Sequence, residues 1–138
     1  IFLECIKSLK RPQLIGDIFY DFKCSVCCKG KEIYTRTELT WINCLQIVIY
    51  NIIISKRKEE NNDSIEYCKF KEDICKFIDD NWEYFYPNKP HSYSWIDIIS
   101  NILNLNSSIF KSGYVKFRQE GWWSLKYFRI PRFGLGNK

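Results

Sequence analysis

The sequence is poor in the residues on which catalysis most often depends. It has one histidine, His91, which lies between Pro90 and Ser92 in a predicted loop. It contains no G-x-S-x-G, H-E-x-x-H or glycine-rich phosphate-binding motif. Asp79 and Asp80 are adjacent on a predicted helix, so their carboxylates point in different directions and do not make an acid–base pair. We therefore expect no enzymatic activity and no small-molecule substrate for this chain.

Methionine is absent and the first residue is Ile1, so we expect the sequence to be a fragment or to lack its true start. Glu4 and Lys7 interrupt any apolar run near the N-terminus, and no signal peptide is visible. The most apolar stretch, residues 40–54, is too short as a helix to cross a bilayer at about 1.5 Å per residue. We therefore expect no membrane partner.

Disulfides are not expected either. The chain has seven cysteines, an odd number, and several lie in segments with helical periodicity. A secreted disulfide framework usually has an even number of cysteines in a loop-rich chain. The cysteine pattern therefore indicates a reducing compartment.

The stretch from Thr40 to Ile54 is the element on which the rest of the chain is expected to pack. Thr40 is a candidate N-cap, and the residues after it are apolar on almost every side, which is typical of a buried helix. The β-branched residues at 47–49 and 52–54 leave a strand open as an alternative for the second half. With 46% apolar residues, the chain has ample material for a core.

The remaining segments alternate between strand and helix patterns. Their order, with a helix followed by a short strand, two helices and a hairpin, is that of a winged helix. The predicted elements are a strand at 18–23, the helix from Thr40, a charged loop at 56–63, a strand at 65–70, an amphipathic helix at 71–84, a helix from Ser94, and a β-hairpin at 110–128 that turns at 119–121. Ser94 and Asp97 form a pair like a capping box at the start of the last helix. The expected buried face of that helix consists of Trp95, Ile98, Ile99, Ile102 and Leu103.

We therefore predict an α+β fold, in which a winged-helix-like domain of three helices and a β-hairpin wing follows a small cysteine knuckle of PHD or zinc-ribbon type. The expected boundaries are a knuckle at 1–36, the winged-helix-like domain at 37–130 and a flexible tail at 131–138. One core is expected to unite Trp41, Ile74, Phe77 and Ile99 beneath the hairpin, and the periodicity also places Cys75 at the edge of this core.

The cysteine knuckle rests on Cys24 and Cys27, which form a C-x-x-C after a predicted strand and before Gly30. Such a turn presents two thiolates to a zinc ion, which prefers four ligands. Cys5 is the nearest upstream thiol. The alternative is a loop of partly buried cysteines without metal.

The positive charge is concentrated at the C-terminal end. Residues 111–138 hold seven Lys or Arg against one Glu, in a chain whose net charge is +5. Such a segment is typical of a surface for a polyanion, and an ordinary solvated surface is the alternative. The candidate nucleic-acid or partner-binding residues are Lys111, Lys116, Arg118, Lys126, Arg129 and Arg132.

A series of short motifs runs along most of the chain: GD-x-F-x-x-F-x-C-x-x-C at 16–27, GKE at 30–32, LTW at 39–41, YN at 50–51, KEDIC followed by FI at 71–78, SG at 112–113 and EGWW at 120–123. This series resembles the N-terminal region of the cysteine-rich protein 2-binding protein family, acetyltransferase subunits of the Ada-Two-A-containing histone acetyltransferase complex. A weaker likeness is to the winged-helix extension of Polycomb-like proteins.

The resemblance implies a nuclear, chromatin-associated protein with a zinc site formed by four cysteines. Phe2 stands where the family has the first cysteine of an upstream pair, so the implied candidates here are Cys5, Cys24, Cys27 and Cys28. The family's acetyltransferase domain lies far towards the C-terminus and is absent from this chain. Only membership of such a complex is implied, not the activity.

Two functions of different classes follow. The first is a non-catalytic chromatin module that binds DNA, a nucleosome or the subunits of an acetyltransferase complex through a basic wing. The second is a protein–protein scaffold without any nucleic-acid contact. For the first, the helix starting at Ser94 lacks Lys and Arg on its outer face, at Asp97, Ser100, Asn101 and Asn104. Any DNA contact is therefore expected at the wing and tail, mostly to phosphate.

Overall fold

The computed structural model describes residues 14–17, 20–23, 33–36, 39–87, 89–91 and 94–131. Helices and strands alternate along this part of the chain. In order they are β1 (Tyr20–Lys23), β2 (Ile33–Arg36), α1 (Trp41–Glu59), β3 (Cys68–Lys69), a π-helical segment (Phe70–Cys75) continuing into α2 (Lys76–Asp80), α3 (Trp82–Phe85), α4 (Trp95–Leu105), β4 (Phe110–Ser112), the single turn α5 (Tyr114–Phe117) and β5 (Trp122–Leu125).

Strands β3, β5 and β4 form an antiparallel sheet with β5 in the centre. Side chains alternate across a sheet, and the inner face carries Cys68, Trp123, Leu125 and Phe110, all buried. This face joins α1 in one core. The predicted α+β architecture of helices, short strand and hairpin is confirmed.

Helix α1 begins where the sequence indicates. Thr40 has extended backbone angles, and its Oγ1 accepts a hydrogen bond of 3.3 Å from the backbone N–H of Asn43. The strand alternative for its second half is wrong. The helix also continues to Glu59, through residues that we expected in a charged loop. Lys56, Arg57 and Lys58 occupy its last turn, where cations interact favourably with the helix dipole.

The predicted helix at 71–84 is broken at Asn81, whose side-chain amide donates to the carbonyl of Phe77 at 2.8 Å. The break separates α2 from α3. Ile78 and Trp82 are buried, whereas Phe77, which we expected in the core, is only partly buried against it.

Helix α4 has the predicted start but not the predicted cap. Ser94 has helical backbone angles, φ −63° and ψ −20°, and makes no side-chain capping bond. An N-cap side chain acts from an extended backbone, so the expected capping box is not formed. Trp95, Ile99 and Leu103 are buried. Ile98, expected on the buried face, is 44% exposed.

The hairpin pairs β4 with β5, but its strands are shorter than expected. Residues 114–117 form a helical turn rather than a strand. Arg118 and Gly121 then take positive φ angles of 55° and 92°, which return the chain to β5. The wing is therefore a compact nine-residue connection (113–121) rather than a tight turn.

Trp41, Ile74, Phe77 and Ile99, which were predicted to share one core, all contact the same hydrophobic cluster. Ile74 and Ile99 are fully buried, and Trp41 and Phe77 pack against the same cluster from its edge. Trp41 lies 4.6 Å from Tyr86 between ring centroids. Cys75 is also buried in this core, as predicted.

The N-terminal segment is attached to this core by side chains from two helices. Asn51 accepts from the N–H of Ile15 and donates to its carbonyl, both at 2.9 Å. Tyr84 donates to Oδ2 of Asp17 at 2.6 Å. These bonds give a physical role to the YN and GD motifs.

Strand β2 was not predicted. It pairs with β1 in an antiparallel register from Tyr20 opposite Arg36 to Lys23 opposite Ile33. The expected boundary at 36/37 and the expected tail stay predictions, because residues 37–38 and 132–138 lie outside the described residues. Among the helices that are described, none has the length and apolarity needed to cross a membrane.

Candidate nucleic-acid interface

The outer face of the three-stranded sheet carries positive side chains. Lys69 lies opposite Trp122, and Lys111 lies opposite Ser124. Because neighbouring strands place paired residues on the same face, both lysines project away from the core. Both are exposed.

Three aromatic rings cover this face and form what we call the outer platform, composed of Tyr67, Phe117 and Trp122. Phe117 stacks on Trp122 with ring centroids 4.2 Å apart, and it meets Tyr67 edge-on at 5.5 Å. Phe117 is supplied by α5. The helical turn in the wing therefore folds an aromatic side chain back over the sheet.

Gly113 allows this close approach. A Cβ atom at Gly113 would lie 2.7 Å from Cβ of Trp122, 3.0 Å from a ring carbon of Tyr67 and 3.1 Å from one of Phe117. Separations below 3 Å require the neighbours to move. The SG and GWW motifs therefore have a steric reason to occur together.

Three ammonium groups lie over the outer platform. Lys69 Nζ is 5.1 Å from the centroid of Trp122, and Lys111 Nζ and Lys116 Nζ are 5.7 and 5.6 Å from that of Tyr67. Cation–π contacts of this length are attractive. In the described part of the chain, no carboxylate forms an ion pair with any of the three. Each ammonium group is thus held in place by aromatic contacts rather than by an ion pair among the described residues.

The predicted basic residues divide into two groups. Lys111 and Lys116 meet at the outer platform, whereas Lys126 and Arg129 lie near Tyr127, at 5.8 and 5.7 Å from its ring centroid. All four are exposed, as is Arg118. Arg132 lies outside the described residues.

Sequence reasoning missed Lys69 and Tyr67. Neither belongs to the basic C-terminal segment, and both reach the outer platform only because β3 pairs with β5. The sequence predicted a strand at 65–70 but gave no indication of which strand it pairs with.

The outer face of α4 is as expected. Asp97, Asn101 and Asn104 are exposed, and Ser100 is partly buried. This face offers hydrogen-bonding groups and no positive charge.

His91, the single histidine, has a packing role in this structure. Its ring stacks on Trp82 with centroids 4.7 Å apart. Its Nε2 lies 2.6 Å from Oδ1 of Asp79. These contacts tie the chain after α3 back to α2.

The four proposed zinc ligands, Cys5, Cys24, Cys27 and Cys28, lie outside the described residues. Within the residues that are described, no group of three or more potential metal ligands occurs. The strands on either side of the C-x-x-C are described: Lys23, the residue before Cys24, lies opposite Ile33 in the β1–β2 pair. The C-x-x-C therefore lies within a connection whose two ends are close together.

The other three cysteines, Cys44, Cys68 and Cys75, are buried. Burial raises the pKa of the Cys68 thiol well above its usual range. It raises the pKa of the Cys75 thiol to about 11. All three residues belong to the hydrophobic core.

No protein-family model matches the chain. Among curated proteins, it is 34% identical over 120 residues to the cysteine-rich protein 2-binding proteins of Mus musculus and Homo sapiens, covering 86% of this chain and 15% of theirs. It is 29% identical over 131 residues to metal-response element-binding transcription factor 2 of the same species, covering 92% of this chain and 21% of theirs. The chain thus spans only a small part of these relatives.

Among solved structures, the chain resembles the PHD2 and winged-helix domain of Polycomblike. The TM-score is 0.59 at 25% identity, over 90% of this chain and 63% of the other. The matched domains are of non-catalytic types, in agreement with the expectation that this chain is not an enzyme. Both resemblances indicated by the sequence motifs are confirmed: the chain is similar to part of cysteine-rich protein 2-binding protein and to the PHD2 and winged-helix domain of Polycomblike.

Proposed function

We propose that this chain is a non-catalytic chromatin module that contacts duplex DNA through the outer platform of its wing. One observation carries the proposal: Lys69, Lys111 and Lys116 converge on three aromatic rings without carboxylate partners in the described part of the chain. Ordered cations without ion-pair partners favour phosphate groups, which supply most of the affinity of non-specific DNA binding.

The same surface supports mostly phosphate contacts and a modest sequence preference. Lysine ammonium groups that contact phosphates position a protein without reporting sequence. Helix α4, which would enter the major groove in a helix-turn-helix protein, has Asp97 on its exposed face. A carboxylate there repels phosphate, so the wing is the favoured approach.

The setting of this module is also proposed from its relatives. Metal-response element-binding transcription factor 2 and the Polycomb protein Pcl of Drosophila melanogaster, 33% identical over 75 residues, carry names that refer to gene regulation. A nuclear location fits such relatives. Membership of a histone acetyltransferase complex is implied by the likeness to cysteine-rich protein 2-binding protein.

Zinc binding belongs to the same proposal. Cys24 and Cys27 would supply two thiolates, with Cys5 and Cys28 as further candidates. The described residues on either side of the C-x-x-C segment, Lys23 and Ile33, lie opposite each other in the β1–β2 pair, and a zinc ion bound by cysteines takes four thiolates. Native mass spectrometry of the purified chain should give a mass one zinc ion above that of the chain alone, and a chelator should remove the difference.

The DNA proposal is tested by titrating a fluorescent duplex with the chain at several salt concentrations. The variant with Lys111→Ala and Lys116→Ala should bind all duplexes more weakly. Its slope of log affinity against log salt should fall by about 1.8, since each lost phosphate contact contributes about 0.9.

Lys76→Ala is the matched control. Lys76 is exposed and pairs with Asp80 at 2.9 Å on α2, away from the wing. It should bind as the parent does. If the double variant binds as tightly as the parent, or if the parent binds no duplex at about 50 mM salt, the DNA proposal fails.

The scaffold remains the second candidate, favoured by exposed aliphatic side chains on α4. Ile98 is 44% and Leu105 is 81% exposed, and they lie seven residues apart on one helix face. A parent chain that binds no duplex would favour this function.

A further inference from the structure

An open cleft of about 640 Å³ lies between α4 and the wing connection. Ser100 and Asn104 line it from α4, and Gln119 lines it from the wing. These side chains are neutral and carry hydrogen-bonding groups. The cleft lies beside the outer platform, because Lys69 and Trp122 also line it.

Two amides in the cleft are held in complementary orientations. Asn104 Nδ2 donates to the carbonyl of Ser100 at 2.9 Å, so Asn104 Oδ1 is left as an acceptor. Gln119 Oε1 accepts from Trp122 Nε1 at 3.3 Å, so Gln119 Nε2 is left as a donor. The cleft therefore offers one oriented acceptor and one oriented donor.

The charges of the cleft are balanced. Lys69 and Lys71 line it, and so do Glu72 and Glu120. Two carboxylates oppose the entry of a phosphate, whereas Lys111 and Lys116 on the outer platform do not lie in the cleft lining. The cleft is thus suited to a neutral, polar group adjacent to a phosphate backbone.

We propose that this group is the edge of a base pair, and that Asn104 and Gln119 determine the sequence preference of the module. The inference rests on the proposed contact with duplex DNA. Asn104 Oδ1 accepts from the exocyclic amino group of adenine or cytosine. Gln119 Nε2 donates to N7 of a purine or O6 of guanine. Amide side chains are established partners for such edges, where the wrong base costs about 1–3 kcal/mol, or roughly fivefold to 150-fold.

The test measures preference rather than affinity alone. The complete 138-residue chain is equilibrated with a pool of duplexes carrying randomised central base pairs, and bound and free pools are sequenced. Asn104→Ala and Gln119→Ala should each reduce the ratio between the best-bound and the average sequence by roughly fivefold or more. Affinity for the average sequence should change little, because the phosphate contacts are intact.

Asn101→Ala is the control, since Asn101 is exposed on the same helix and does not line the cleft. It should keep the parent's ratio. If Asn104→Ala and Gln119→Ala also keep that ratio, or if the parent binds all sequences equally, the cleft proposal is overturned while the DNA proposal stands. Insensitivity to Lys111→Ala with Lys116→Ala would instead overturn the DNA proposal itself.

Discussion

The phenol of Tyr84 donates a 2.6 Å hydrogen bond to Oδ2 of Asp17, a residue 67 positions earlier in the chain. Both groups are buried, so water cannot readily replace the bond. Tyr84→Phe removes the donor and keeps the ring. It should lower the free energy of unfolding by about 1–3 kcal/mol, measured by urea denaturation.

A ring-preserving control is available in Tyr114→Phe, because Tyr114 is 52% exposed. That variant should unfold within about 0.5 kcal/mol of the parent. Equal stability of Tyr84→Phe and the parent would mean that the GD segment is not attached to the helices by this bond.

Large parts of the fold could be predicted because they depend on local patterns. The apolar run after Thr40 and the four-residue spacing of Ile74 and Ile78 can each be recognised within a single helical segment. The bond between Tyr84 and Asp17 could not be predicted, because nothing in either residue's neighbourhood indicates its partner.

The candidate site was predicted only in part for the same reason. Lys111 and Lys116 were expected from the local charge of the C-terminal segment. Lys69 was missed because its contact with Trp122 depends on the pairing of β3 with β5. The helical turn that carries Phe117 was missed because alternating aromatic residues also fit a strand.

Truncations in the core should follow burial rather than side-chain size. Ile74 is fully buried, whereas Phe77 is only partly buried. We therefore expect Ile74→Ala to cost about 3–4 kcal/mol and Phe77→Ala about 2 kcal/mol. Urea denaturation of both variants measures the order. A larger loss for Phe77→Ala would show that the π-helical segment places its faces differently.

A methyl group at Gly113 should disrupt the outer platform. Its Cβ would lie 2.7 Å from that of Trp122, so Gly113→Ala must displace the strand pair or the ring. We expect a loss of about 1–3 kcal/mol and a change in tryptophan fluorescence. At Gly121, where φ is +92° and no atom lies within 4 Å, alanine suffers backbone strain alone. Equal fluorescence of Gly113→Ala and the parent would contradict the close packing.

The stability should fall at alkaline pH through Cys75. Burial raises its pKa to about 11 in the folded state, whereas a cysteine in an unfolded chain has a pKa of about 8.5. The folded form therefore holds its proton more tightly. The resulting stability is fully present below about pH 8.5 and is lost as pH rises towards 11, by at most about 1.4 kcal/mol per pH unit.

Removing the thiol removes this contribution. Cys75→Ala should show a shallower loss of unfolding free energy than the parent between about pH 9 and 10.5, in urea titrations at each pH. Parallel slopes for the two proteins would mean that Cys75 does not retain its proton on folding.

The two basic groups should differ in their contribution to DNA binding. Lys111 and Lys116 lie over the outer platform, whereas Lys126 and Arg129 lie around Tyr127, past the opposite end of β5 from the wing connection. At physiological salt the interaction between exposed charges decays over about 8 Å, so we expect the second group to contribute less to the binding of a duplex that contacts the platform. Lys126→Ala with Arg129→Ala should change the salt slope by less than half of the roughly 1.8 expected for Lys111→Ala with Lys116→Ala.

Both double variants remove two positive charges, so their net charges match and each controls for the other. Equal reductions would extend the DNA-binding surface along the whole basic segment, and a larger effect at Lys126 and Arg129 would move the interface away from the wing.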